Sequence, residues 1–109
     1  MESYKVVRPE DLNHYGYLFG GALLQWVDET CWIAASRRHP GCKFVTVAMD
    51  KVEFHRSVRA GTVLRFTARE TAVGSSSVKY EVKVFADDLE TGEEESIFST
   101  YVTYVCLGE

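Results

Sequence analysis

Apolar and polar positions follow two different rhythms along this chain, and the change of rhythm sets out its elements. From about Gly21 to Arg38 the apolar residues recur at helical spacing. At about 100° per residue, Leu23, Leu24, Val27, Cys31, Ala34 and Ala35 share one arc. Ala22, Trp26 and Ile33 lie on a second apolar arc, and Gln25, Glu29 and Ser36 leave only a narrow polar strip. So wide an apolar surface predicts a helix buried on several sides. Arg37 and Arg38 suit the negative end of the helix, and His39-Pro40-Gly41 stops it.

Elsewhere the period is two. Ser3 to Arg8 reads as a short first strand, and Pro9 to Phe19 as a loop. Phe44 to Phe54 alternates, with Val45, Val47 and Met49 on one face and Ala48, Val52 and Phe54 on the other. Thr62 to Val73 is a further strand. In Ser77 to Ala86, Val78, Tyr80, Val82 and Val84 alternate with Lys79, Glu81 and Lys83. Ile97 to Leu107 is nearly apolar on both faces, as a central strand is. Turns at Val58–Gly61, Gly74–Ser76 and the acidic stretch Asp87–Glu95 join these strands in antiparallel fashion. The order predicts an α+β fold, with an antiparallel sheet of about five strands wrapped around one long central helix. A sheet covers one side of a helix of roughly 27 Å. Trp26 and Ile33 therefore call for cover from a second copy.

The chain has 109 residues, which fits a single domain over 1–109. Its formal charge of −4 argues against nucleic acid or an anionic membrane as partner. No apolar run approaches the roughly 18 residues that span a bilayer, and the start lacks the pattern of a secretory signal. Three cysteines, an odd number with no C-x-x-C, suit neither a disulfide framework nor a zinc site and point to a reducing cytoplasm. In the acidic turn Leu89 takes the third position of a would-be calcium loop, so that ligand spacing fails. No metal site is expected.

The candidate chemistry lies in one stretch. A polar loop containing Asn13-His14-Tyr15-Gly16 runs into Gly20-Gly21 and then into the apolar helix, which carries Asp28 at its middle. Desolvating a carboxylate is costly, so Asp28 needs a reason. It is either a structural charge at the edge of the polar strip or an acid–base group. Asn13 on its own reads as a turn residue. The first N–H groups of a helix have no intrahelical partner, and glycine lets a carbonyl approach them. The N–H of Gly21 or Ala22 is thus a candidate oxyanion donor. The combination points to chemistry on a carbonyl.

Asn13 to Glu29, followed by Val45-Thr46-Val47-Ala48-Met49-Asp50-Lys51-Val52-Glu53-Phe54, resembles the hotdog-fold acyl-CoA thioesterases, in particular the YciA-type and brain-type cytosolic acyl-CoA hydrolases. The resemblance runs from Pro9 to the last strand, and its first block is the specific part. It implies hydrolysis of an acyl-CoA thioester to a fatty acid and free coenzyme A, with coenzyme A as part of the substrate and no other cofactor. It implies a homodimer joined edge to edge, with hexamers built from dimers. Its catalytic roles fall on Asp28 of one subunit, as general base or nucleophile, and on Asn13 of the other. Phe19, Gly20, Trp26 and Phe54 would line the acyl site. Arg56, Arg59, Ser75, Ser76, Ser77 and Lys79 would hold coenzyme A. The pattern is broken where Ser57 replaces a usual proline and Thr62 a usual aspartate. His14 is expected at the pocket rim, and Glu29 facing elsewhere. A non-catalytic acyl-CoA binder is one alternative. A hydratase or dehydratase is another, although that chemistry wants a histidine near the helix, and the helix itself carries none before His39.

Overall fold

A computed structural model describes residues 1–108. Strand β1 spans Glu2–Val6, and a single 3-10 turn occupies Pro9–Asp11. Helix α1 runs Gly20–Arg38, followed by β2 (Phe44–Phe54), β3 (Val63–Val73), β4 (Ser77–Asp87) and β5 (Glu94–Cys106). All five strands form one antiparallel sheet in the order β1-β3-β4-β5-β2, so β1 and β2 are its edges.

The core forms where the two rhythms meet. From α1 it takes Leu23, Val27, Cys31, Ala34 and Ala35; from β3, β4 and β5 it takes Leu64, Phe66, Val82, Val84, Phe98, Val102 and Tyr104. Small residues in the second half of the helix let it lie close on the sheet. The expected apolar girdle is narrower than the sequence implied. Trp26 is half-buried, edge-on to Phe66 with ring centroids 6.5 Å apart, because the β1–β3 flank already covers that side. The apolar helix residue left in solvent is Trp32, 46% exposed, rather than Trp26 or Ile33.

β5 begins at Glu94, three residues earlier than the pattern suggests. The reason is an ion pair: Arg65 on β3 donates to both carboxylate oxygens of Glu94, at 2.9 and 2.6 Å, and to Glu2 at 3.0 Å. β2 is irregular. Its pairing with β5 slips by one residue between Thr46 and Ala48 and again between Asp50 and Glu53, which makes two bulges. At the second, Lys51 takes a left-handed φ of 51° and buried Thr100 donates to the carbonyl of Asp50 at 2.8 Å.

A polar clamp holds the end of α1. Glu70 on β3, its side chain 9% exposed, meets His39 Nε2 at 2.6 Å and Arg38 Nε at 2.6 Å. Burial alone would raise the Glu70 carboxyl, but the His39 hydrogen bond and the His39 and Arg38 charges outweigh it and hold it below the usual carboxylate range. A depressed folded-state value means stabilisation that is present above the unfolded value, about 4.3, and lost as pH falls through the folded one. Glu70→Gln is expected to cost about 2 kcal/mol at neutral pH in urea unfolding. The difference from wild type should shrink as the pH drops below about 4.

Candidate active site at the helix start and the β2 edge

Asp28 leaves the middle of α1 toward β2 and β5 and is half-buried. Thr46 Oγ1 donates to its Oδ1 at 2.7 Å, and the Tyr104 hydroxyl, fully buried, donates to the same Oδ1 at 2.8 Å. Tyr104 also bonds the main-chain carbonyl of Asp28 at 2.8 Å. Thr46 and Tyr104 are cross-strand partners. Oδ2 accepts no hydrogen bond among the described residues. One carboxylate oxygen is therefore held and the other is open. Sequence reading missed both hydroxyls. The available signal was a polar Thr46 between Val45 and Val47, and a tyrosine on the inward face of β5. Trp32, one turn beyond Asp28, shares its side of the helix; Trp26, about 200° away, does not. Trp26 stands against Phe66 with Lys5 Nζ 5.2 Å from its ring, on a different side of the helix from Asp28.

The start of α1 is uncapped. Its N-cap is Phe19, no side chain bonds the first turn, and no acidic residue lies there. The N–H of Ala22, one of the two candidate oxyanion donors, is engaged with the Phe19 carbonyl at 3.0 Å. The N–H groups of Gly20 and Gly21 have no acceptor among the described residues. Neither glycine is left-handed, so the backbone does not require it. Space is tight at Gly21, where a Cβ would lie 3.1 Å from the Phe19 ring, whereas at Gly20 it would make an ordinary contact 3.5 Å from the Phe54 ring. Phe19 and Phe54 are both exposed, and Phe54 borders a cavity of about 410 Å³ with Leu18, Gly20, Leu23 and His55. Gly21 and Asp28 are about 10 Å apart along the helix axis. Within one chain they cannot reach the same carbonyl.

Asn13 is oriented by its own loop. Its Oδ1 accepts from the N–H of Tyr15 at 2.9 Å and of Tyr17 at 3.2 Å, and Gly16 at φ 87° closes the turn. The side-chain Nδ2 has no acceptor among the described residues, so Asn13 can only donate. The turn reading of Asn13 thus leaves its amide N–H groups available to a ligand. His14 is exposed beside the Tyr15 ring, centroids 3.9 Å apart, and Glu29 is exposed.

The expected coenzyme contacts fall into two groups. Arg56 and Arg59 follow β2 near the helix start. Arg56 is paired with Glu95 at 2.9 Å, whereas Arg59 bonds the Tyr17 hydroxyl at 3.1 Å and lies over its ring. Of these two, Arg59 is the guanidinium free of carboxylates. Ser75, Ser76 and Ser77 form the β3–β4 turn beside the start of β2, at the opposite end of the sheet, roughly 33 Å away. Lys79 rests over Tyr101, 3.9 Å from Asp50. One chain cannot offer both groups to one ligand of ordinary size.

Two other candidate nucleophiles, Cys31 and Ser99, are disabled or misplaced. Burial, with Asp28 nearby, pushes the Cys31 thiol up to about 12, so it stays protonated. His55 Nε2 lies 3.3 Å from Ser99 Oγ and 4.0 Å from Glu53. The same nitrogen faces both, so no relay from serine through histidine to acid exists there. Among the described residues, no helix is long and apolar enough to cross a membrane.

A five-stranded antiparallel sheet around one helix, with a glycine-opened helix start and a mid-helix aspartate, is the hotdog arrangement. A model of the thioesterase superfamily matches residues 15–93, and the chain belongs to that superfamily. It is 36% identical over 101 residues to an uncharacterized acyl-CoA thioester hydrolase of Bacillus subtilis, covering 93% of this chain and 58% of that protein. It superposes on an acyl-CoA hydrolase of Staphylococcus aureus, solved with butyryl coenzyme A and coenzyme A, with a TM-score of 0.92 and 30% identity. That match covers all of this chain and 66% of the other. A hexameric hotdog fold thioesterase of Campylobacter jejuni superposes at 0.87 with 33% identity, over 96% and 80% of the two chains. The chain thus spans less than two thirds of the Bacillus and Staphylococcus proteins.

Proposed function

We propose that this chain hydrolyses acyl-CoA thioesters, releasing a fatty acid and coenzyme A, at sites shared between two copies. The observation that carries the reading is the Asp28 carboxylate, with Oδ1 held by two hydroxyls and Oδ2 open. As general base, Asp28 takes a proton from water as its oxygen attacks the thioester carbon. The tetrahedral oxyanion collapses, expelling the coenzyme A thiolate, which then takes that proton. As nucleophile, Oδ2 itself attacks, and water resolves the resulting anhydride. In either course the oxyanion needs donors about 3 Å away. The Gly21 N–H lies too far along its own helix, so that donor and the Asn13 amide come from a second copy. The hydrogen bonding of Asn13 suits this, since its Oδ1 is taken by its own loop and its side-chain N–H groups are left without an acceptor among the described residues. Solved structures of the Staphylococcus aureus hydrolase include variants in which an aspartate, an asparagine and a threonine are replaced by alanine. The asparagine and aspartate there have the same spacing as Asn13 and Asp28.

The copies meet along β2. This edge exposes Val45, Val47, Val52 and Phe54, with Phe19 and Trp32 beside it. Antiparallel pairing there sets the helix start of one chain near the β3–β4 turn of the other, uniting the two halves of the expected coenzyme site. A trimer of such dimers is the assembly we favour, by analogy with the hexameric neighbour. Three free cysteines suit a cytoplasmic setting. The test is thiol release from acyl-CoAs of graded chain length. Saturable acyl-CoA binding with no thiol released would favour the non-catalytic binder. The hydratase reading is the weaker, because His39 is engaged by Glu70 and His14 and His55 are exposed.

A further inference from the structure

We propose that Tyr104 is a positioning residue for the reaction: its buried hydroxyl, together with Thr46, fixes Asp28 through Oδ1 so that Oδ2 is the oxygen presented to water or substrate. The inference rests on the hydrolase reading above and deepens it. A carboxylate on a single helix residue has two torsions to fix, and its two oxygens are chemically alike. Two donors on one oxygen remove that equivalence. Thr46 alone would be a weak restraint, since it sits on an exposed edge strand. Tyr104 is rigid. It is fully buried on β5, edge-on to Phe44 with centroids 6.3 Å apart, and its hydroxyl bridges the main-chain carbonyl and the side chain of the same residue. The one hydroxyl proton is shared between these two acceptors, and the contact to Oδ1 is lost if the carboxylate swings away. Burial and the neighbouring Cys31 and Asp28 raise the Tyr104 hydroxyl far above its ordinary range, so it remains a donor under all working conditions.

A purely structural role predicts something different. If Tyr104 only pins α1 to β5, its loss loosens the fold and disturbs substrate binding and turnover together. Tyr104→Phe keeps the ring and removes only the hydroxyl. The expected result is a kcat about tenfold lower with KM within about twofold of wild type. The thermal midpoint should move by a few degrees at most. Thr46→Val should lower kcat less than Tyr104→Phe, because the rigid donor remains. The double variant should retain a smaller fraction of kcat than the product of the fractions kept by the two single variants, since in each single variant the remaining donor still holds Oδ1 in part. Wild-type kcat in Tyr104→Phe overturns the proposal, as does a KM that rises in step with the loss of kcat. Should Tyr104→Phe fail to fold, Thr46→Val decides: unchanged turnover overturns the claim that donors to Oδ1 orient the acid, and reduced kcat at constant KM upholds it. A wild-type protein that releases no thiol sinks the hydrolase reading itself. An active wild type with an indifferent Tyr104 sinks only this inference.

Discussion

Asp28→Asn should lower kcat for thioester hydrolysis by about a thousandfold, with the protein still folded and still able to bind acyl-CoA. The exchange is nearly isosteric. The amide oxygen can keep the hydrogen bonds from Thr46 and Tyr104, so the helix and the β5 contact survive. What changes is the other position, where Oδ2 becomes an NH₂ that can neither accept a proton from water nor attack a carbonyl. The measurement is steady-state thiol release, with binding followed separately by calorimetry. A variant within about twofold of wild type would remove Asp28 from the chemistry under either mechanism.

A second large effect follows from the separation along the helix. Asp28 and Gly21 of one chain stand about 10 Å apart, and Asn13 makes no bond to Asp28 within the chain. If each site draws its acid from one copy and its amide donors from the other, two inactive variants should rescue each other. Asp28→Asn and Asn13→Ala are each expected to be nearly inactive alone. After mixing, unfolding and refolding together, half of the dimers pair one of each, and each such dimer holds one site with both groups native. Activity should return to roughly a quarter of wild type. No recovery, with mixed dimers demonstrated by mass spectrometry, would place both groups of each site in one chain and refute the shared site.

Much of the fold was readable from hydrophobic rhythm because each element has a single dominant period. β2 and β3 were located to within a residue, and the helix to one residue at its start. Errors arose where tertiary partners override local pattern. β5 extends into the acidic turn because Arg65 binds Glu94, a contact across strands far apart in sequence. The girdle of α1 looked wider than it is because periodicity cannot say that the curving β1–β3 flank would shelter Trp26. The candidate site was legible in its residues but less so in its atoms. Asn13, Gly21 and Asp28 were named from one stretch of chain. That Ala22 spends its N–H on Phe19, that Asn13 can only donate, and that Thr46 and Tyr104 grip Asp28 are facts of hydrogen-bond geometry. No spacing rule carries them.

The two bulges of β2 bear on assembly. A smooth strand edge can be met by a neighbour in several registers two residues apart, each satisfying the same ladder. An edge interrupted at Val47 and again near Lys51 has no such translational freedom, because its kinks fit their counterparts at one offset alone. Two copies joined there would be indexed like notched rails. An alignment good to within an ångström, which a shared active centre demands, would then be a property of the backbone rather than of any side chain at the junction.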